Sequence, residues 1–353
     1  MLTLPLLSKS VRAVITGVLV LALGACQASS RASTAQPAPP QQPYYPPYAQ
    51  PGYQQPPYYP QQPAPQQPLP QQPQPSPQPA ARPLLPPLVG VPAMQQEVRN
   101  VLAELVNALP PQNQALVRTI PLVFDPTIEV NAFAGCDEQG APFLAATAGI
   151  LEAVDAIAQT KATDELFGTQ TYDAYTNAVL PQMTKSDKAR AALPAGIIPA
   201  NLGPDPRRWS RAHELFDDII AFTFGHELAH HYRGHTGCAR GQGGSGGPDL
   251  AQLGRIFSRV PLFNQAQEAE ADTAGCNNAL DAGRARRPRY EWSETGGVLL
   301  LDYFARLERA GGGGNIFNVL TMVNAFLRSH PNPQLRIPAI QWTAGIWRTQ
   351  HPG

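Results

Sequence analysis

The chain has 353 residues, with 26 Lys and Arg against 26 Asp and Glu, and a formal net charge of zero. With 43% hydrophobic and 15% charged residues it has enough apolar material for a substantial core. It lacks the basic stripe that nucleic-acid binding requires, which excludes nucleic acid as a partner.

At the N-terminus, Lys9 and Arg12 precede an apolar run from Ala13 to Leu23, followed by Gly24-Ala25-Cys26. A charged start, a short apolar stretch and small residues before a cut point mark a secretory signal over residues 1–25. A cysteine directly after the small residues resembles a bacterial lipobox, which implies that Cys26 becomes the lipidated first residue. Gln27 follows it rather than an aspartate. By resemblance to Gram-negative lipoproteins, the expected place is the cell envelope, on the periplasmic face of the outer membrane.

Residues 26–92 read as a tether. Positions 27–92 hold over half of the 40 prolines and six of the eleven tyrosines, and no acidic residue. That composition buries too little apolar surface to fold. Its reach runs from roughly 50 Å as a coil to about 200 Å fully extended. Its Pro-x-x-Pro segments and tyrosines offer contacts to peptidoglycan or an envelope protein.

The globular domain is expected over residues 93–353. It contains all 26 acidic residues but 22 of the 26 basic ones, a net of −4. Hydrophobic patterning predicts a helix over Met94–Ala108 and strands over Thr119–Phe124, Ile128–Ala134 and Ala141–Thr147. Helices are predicted over Glu152–Gln159, Arg211–Arg233, Gln265–Leu280, Glu294–Arg309, Ile316–Leu327 and Gln334–Trp347. Ser210 is the expected N-cap of the second of these. The class is α+β, mostly helical. No apolar run of about 18 or more residues follows the N-terminus.

Chemistry concentrates in one place. Four of the seven histidines lie between residues 226 and 235, and they include His226-Glu227-x-x-His230. Four residues are a little over one helical turn, so His226 and His230 share a helix face and offer two imidazole nitrogens to one Zn²⁺. Glu227, beside the metal, suits a general base. A catalytic zinc needs a third protein ligand, and Glu268 is the best candidate. Asp272, four residues on, shares its face and is placed to hold a ligand histidine through the second ring nitrogen. Glu270 points to the other side and is expected to be solvated. His231 and His235 point away from the metal face on an ideal helix and read as structural or solvated.

This pattern, His226 to His230 followed by Glu268 to Asp272, resembles the HtpX, OMA-type and CAAX-prenyl-protease family of zinc metallopeptidases, which are gluzincins. Asn131-Ala132-Phe133, Ala148-Gly149-Ile150-Leu151, Ser329-His330-Pro331 and Arg336-Ile337 resemble further family segments, in family order. The resemblance implies a zincin-like domain with a small sheet beside the metal-binding helices. It implies one catalytic Zn²⁺ and an edge strand, here Asn131, Ala132 and Phe133, that accepts an extended peptide. An inner strand with Asn131 capping a turn is the alternative. His330 would stabilise an oxyanion, act as a temporary fourth zinc ligand, or be a plain surface histidine. Arg336 is expected to pair with an acidic group near the site.

Beyond Cys26, three cysteines remain, so one disulfide and one free thiol is the simplest count. A Cys238–Cys276 bond would brace the two metal segments, but spacing leaves the pairing among Cys136, Cys238 and Cys276 open. The expected activity is a zinc metalloendopeptidase acting on misfolded or misassembled envelope proteins, held to the membrane by its lipid. The rival is a catalytically idle chaperone or binding lipoprotein on the same fold. A third option is a structural lipoprotein whose tether binds peptidoglycan.

Overall fold

The computed structural model describes residues 83–239, 263–286, 290–311, 327, 330 and 332–352. The signal segment, Cys26, the tether up to residue 82, the Gly241–Gly247 loop and nearly all of the helix predicted over Ile316–Leu327 lie outside the described residues. In chain order the elements are α1 (Gly90–Ala108), α2 (Pro111–Val117), β1 (Leu122–Asp125), β2 (Ala132–Cys136), β3 (Pro142–Thr147) and α3 (Ala148–Phe167). Then follow α4 (Thr171–Met183), α5 (Pro206–Tyr232), α6 (Gln265–Ala285), α7 (Thr295–Ala310) and α8 (Pro333–Gln350). The class is α+β, mostly helical, with one three-stranded sheet among the described residues.

The centre of the domain is α5. Between Ser210 and His231 only Arg211 and Glu214 escape full burial, so the helix is covered on every side. It packs against α6, α3, α7 and α1, and its C-terminal half meets β2 and β3. A helix apolar on all faces has to be internal. Each fully buried Phe or Leu on it, such as Phe216, Phe224 and Leu228, contributes about 1.5–3 kcal/mol.

The start of α5 differs from expectation. Asp205 is the N-cap, its side chain accepting the Arg207 amide at 2.8 Å, with Pro206 in the first turn. Proline there loses no hydrogen bond and has the helical φ built in, so Asp205-Pro206 starts the helix five residues before Ser210. Ser210 Oγ instead accepts the amide of Leu85 at 2.9 Å. With the Pro86 carbonyl 2.7 Å from His213 Nδ1, that contact ties Leu85 and Pro86 to α5.

The sheet order is β1-β3-β2, with β1 parallel and β2 antiparallel to β3. β2 is therefore an edge in the pairing order, as expected, but it begins four residues later than predicted. The Asn131 amide is held by Thr147 Oγ1 at 3.1 Å, so residues 128–130 approach without joining the ladder. Thr147 also caps α3 by accepting the Ile150 amide. α3 exceeds its predicted span at both ends because its apolar residues surround it and leave no amphipathic period to read. α4 was not predicted; it carries Pro181 inside it.

Among the described residues one disulfide forms, Cys136–Cys238, with Cα atoms 6.1 Å apart, and Cys276 is free and buried. The pairing that the sequence left open is thus Cys136–Cys238 and not Cys238–Cys276. Cys276, buried on α6, directs its thiol at the Ile340 carbonyl of α8, whereas Cys238 returns beside the end of β2. No helix among the described residues is long and apolar enough to cross a membrane.

Candidate metal centre

His226 and His230 lie side by side on the buried face of α5, their Nε2 atoms 3.0 Å apart. Glu268 reaches them from the first turn of α6. Its Oε2 is 3.6 Å from His226 Nε2 and its Oε1 is 3.4 Å from His230 Nε2. Three donors bound to one tetrahedral ion at 2.0–2.2 Å would lie about 3.3–3.5 Å apart, so the spacing suits a single metal. The placement of Glu268 follows from local chemistry. Asn264 and Gln267 form a capping box that fixes where α6 begins, and Glu268 follows at the positive end of the helix.

His330 completes the cluster. Its Nδ1 is 2.8 Å from Glu268 Oε2 and 3.3 Å from His226 Nε2, and the residue is fully buried. The surface reading of this histidine is thereby corrected. The turn responsible holds Asn332 in the left-handed conformation at φ 58°, just before α8. Asn tolerates that conformation better than most residues. The same turn places Arg336, in the first turn of α8, against the site. Arg336 donates through Nε and Nη2 to the two Asp272 oxygens at 2.8 and 2.7 Å and lies 3.1 Å from Glu268 Oε2. These four donors, His226, His230, Glu268 and His330, form a buried set able to hold a metal ion.

Asp272 Oδ1 approaches His226 Nδ1 at 3.0 Å, the partner expected from the sequence. The N–H direction is poor, so the contact is an ion-pair approach rather than a well-aligned hydrogen bond. Glu227 Oε2 accepts the amide of Ala134 at 2.8 Å, which ties the candidate base to β2, and its Oε1 lies 3.5 Å from His330 Nε2. Phe263 stacks on His230 with ring centroids 3.7 Å apart.

His235 was placed away from the metal face by extending an ideal helix. α5 ends at Tyr232, and Gly234, at φ 80°, turns the chain back. His235 Nδ1 then lies 2.9 Å from His230 Nδ1, and its Nε2 lies 3.2 Å from Glu270 Oε2. With His230 Nε2 turned to a metal, His230 Nδ1–H donates to His235, and His235 Nε2–H donates to Glu270. Glu270 is half exposed yet engaged, pairing also with Arg233. His231 is structural as expected: its Nε2 is 3.0 Å from the Phe143 carbonyl, which pins α5 to β3.

The electrostatics follow from depth. Burial pushes the His230 pKa down to about 2 and so favours the neutral ring. Burial opposes charge on Asp272 as well, but the Arg336 guanidinium and His226 together outweigh it and hold the carboxyl down at about 2. Glu268 is likewise lowered against burial, by the facing histidines. Burial raises Glu227, with His330 and His226 pulling the other way.

Asn131 is fully buried just ahead of β2, and its side-chain amide has no hydrogen-bond partner among the described residues. Ala132 and Phe133 open β2 and are buried too. Thus β2 is a covered edge, with its Ala134 amide already taken by Glu227. Comparison of the chain with family models, with characterised proteins and with solved structures gives no match.

Proposed function

We propose that the protein is a zinc-dependent endopeptidase with a zincin-like domain, of the HtpX, OMA-type and CAAX-prenyl-protease kind. Its substrates would be unfolded or misassembled envelope proteins, and Cys26 would carry the lipid that holds it to the membrane. The observation that carries this reading is the meeting of His226, His230 and Glu268 from two helices, with Glu227 beside them.

The donor set fits zinc. It comprises two imidazoles and one carboxylate at tetrahedral spacing, and Glu268 Oε1 is a buried acceptor with no hydrogen bond. Bound there, zinc would supply Lewis acidity and a water of lowered pKa. Glu227 is fixed through Oε2 by the Ala134 amide, which leaves Oε1 to accept a proton and return it to the leaving amine. His330 would take the fourth donor position that a water needs, and its withdrawal would free that position. A complete catalytic set supports an enzyme over an idle relative.

The test compares hydrolysis of an unfolded protein by wild type, Glu227→Gln, His330→Ala and the double variant. His330→Ala should retain zinc and exceed wild type in rate. Glu227→Gln, alone or combined, should retain zinc and lose at least about 100-fold. Inert zinc-loaded wild type and His330→Ala would overturn the proposal in favour of a binding protein.

A further inference from the structure

A second cluster lies further up α5, where the chain from the tether meets the domain. His213 and Asp217 stand one turn apart on α5, and Glu97 faces them from α1. His213 Nε2 is 3.6 Å from Glu97 Oε1 and 3.7 Å from Asp217 Oδ1. The three residues form a set able to hold a metal ion.

Each residue has one polar atom held from outside and the other turned inward. His213 Nδ1 is 2.7 Å from the Pro86 carbonyl, which can only accept, so Nδ1 carries the hydrogen and a neutral ring presents its Nε2 lone pair inward. Glu97 Oε2 accepts from Asn100 Nδ2 at 2.9 Å, which leaves Oε1 inward. Asp217 Oδ2 accepts from Arg286 at 3.2 and 3.3 Å. Asp217 Oδ1 is left buried with no hydrogen-bond partner, on a side chain only 2% exposed. Outer hydrogen bonds of this kind orient metal ligands.

We propose that Glu97, His213 and Asp217 form a separate structural site for a divalent cation of the zinc type, clasping α1 to α5. A proton on His213 is the rival occupant. Charge-assisted N–H···O bonds close to about 2.7–2.9 Å, and neither carboxylate comes that near. The observed separations instead approach the spacing of ligands around a common ion. With Arg286 paired to Asp217, the two carboxylates and a neutral ring still face the ion with net negative charge, and Glu97, 19% exposed, leaves a side for water and for entry of the ion. The ion would also anchor Pro86, through His213, at the base of the tether.

The experiment uses the full chain and counts zinc after equilibration, then titrates Co²⁺ or Zn²⁺. Wild type should hold about two equivalents if both clusters bind. The His226→Ala/His230→Ala variant should keep about one, and adding Glu97→Gln to it should weaken that binding about tenfold or more. His213→Gln should abolish it. Should the double variant fail to fold by circular dichroism, Glu97→Gln in the wild-type background gives the same answer by weakening the second equivalent about tenfold or more. The proposal is overturned if folded His226→Ala/His230→Ala protein binds no zinc, or binds it equally well with Glu97→Gln. Either result leaves the reading of the first cluster untouched, because that reading rests on His226, His230, Glu268 and Glu227, none of which belongs to the second cluster.

Discussion

Gly225 of α5 and Gly275 of α6 meet backbone to backbone. A methyl group on Gly225 would come within 2.8 Å of the Gly275 carbonyl oxygen, and one on Gly275 within 2.5 Å of the His226 amide nitrogen. Neither glycine needs an unusual φ; what they permit is close approach of two helices. That approach brings Glu268 and Asp272, seven and three residues before Gly275, up to His226.

Gly275→Ala should therefore push α6 off α5 at the point where the ligand set is assembled. Overpacking of a tight contact costs about 1–3 kcal/mol. Urea unfolding should show that loss, and zinc titration should show weaker binding even where the variant still folds. Unchanged zinc affinity in a folded variant would mean that the helices do not need this contact to bring the ligands together.

His235→Ala should weaken zinc binding about 10- to 100-fold, because the outward nitrogen of His230 loses its partner. Glu270→Gln should do less, since Glu270 is half exposed and acts one residue further out. Competition against a chelator measures both. Equal zinc affinity in wild type and His235→Ala would show that the contact plays no part in holding His230.

Reduction of Cys136–Cys238 should destabilise the domain by about 4–5 kcal/mol on chain-entropy grounds, since the bond spans 102 residues. Cys276→Ser should leave the disulfide intact. Mass spectrometry of the alkylated protein should find Cys276 as the unpaired thiol of the domain, and melting with and without reductant should show the stability change.

Asp155 gives a pH dependence away from both metal clusters. Burial raises its pKa above 3.8, partly offset by the hydrogen bond from Gln159 and the charge of Arg208. A carboxyl whose folded pKa is raised contributes stability that is present below its unfolded pKa and lost as the pH rises through the folded value. Asp155→Asn removes that loss. The variant should be more stable than wild type at pH 7, with a margin that shrinks as the pH falls towards 4. Chemical unfolding at a series of pH values checks this, and a margin independent of pH would refute it.

What the sequence determined by itself was local. The pairing of His226 with His230 on one face, the shared face of Glu268 and Asp272, and the mostly helical α+β class all follow from periods of a few residues. Spacing within one helix is set by backbone geometry, and composition sets how much of the chain can be buried. The Asp205 cap was also written there, in Asp205-Pro206, five residues ahead of Ser210.

What only the tertiary structure decided were meetings between distant segments. Cys136 rather than Cys276 reaches Cys238. His235 swings back to His230 because Gly234 turns the chain. His330 enters the ligand set, and Glu97 comes to face His213 and Asp217. None of these has a period, because each depends on how separate elements pack. A helix buried on all sides, such as α5, has no solvent-facing side from which its neighbours could be read. The choice of neighbour then falls to contacts like Gly225 against Gly275, where close-packed backbones admit one arrangement and exclude others.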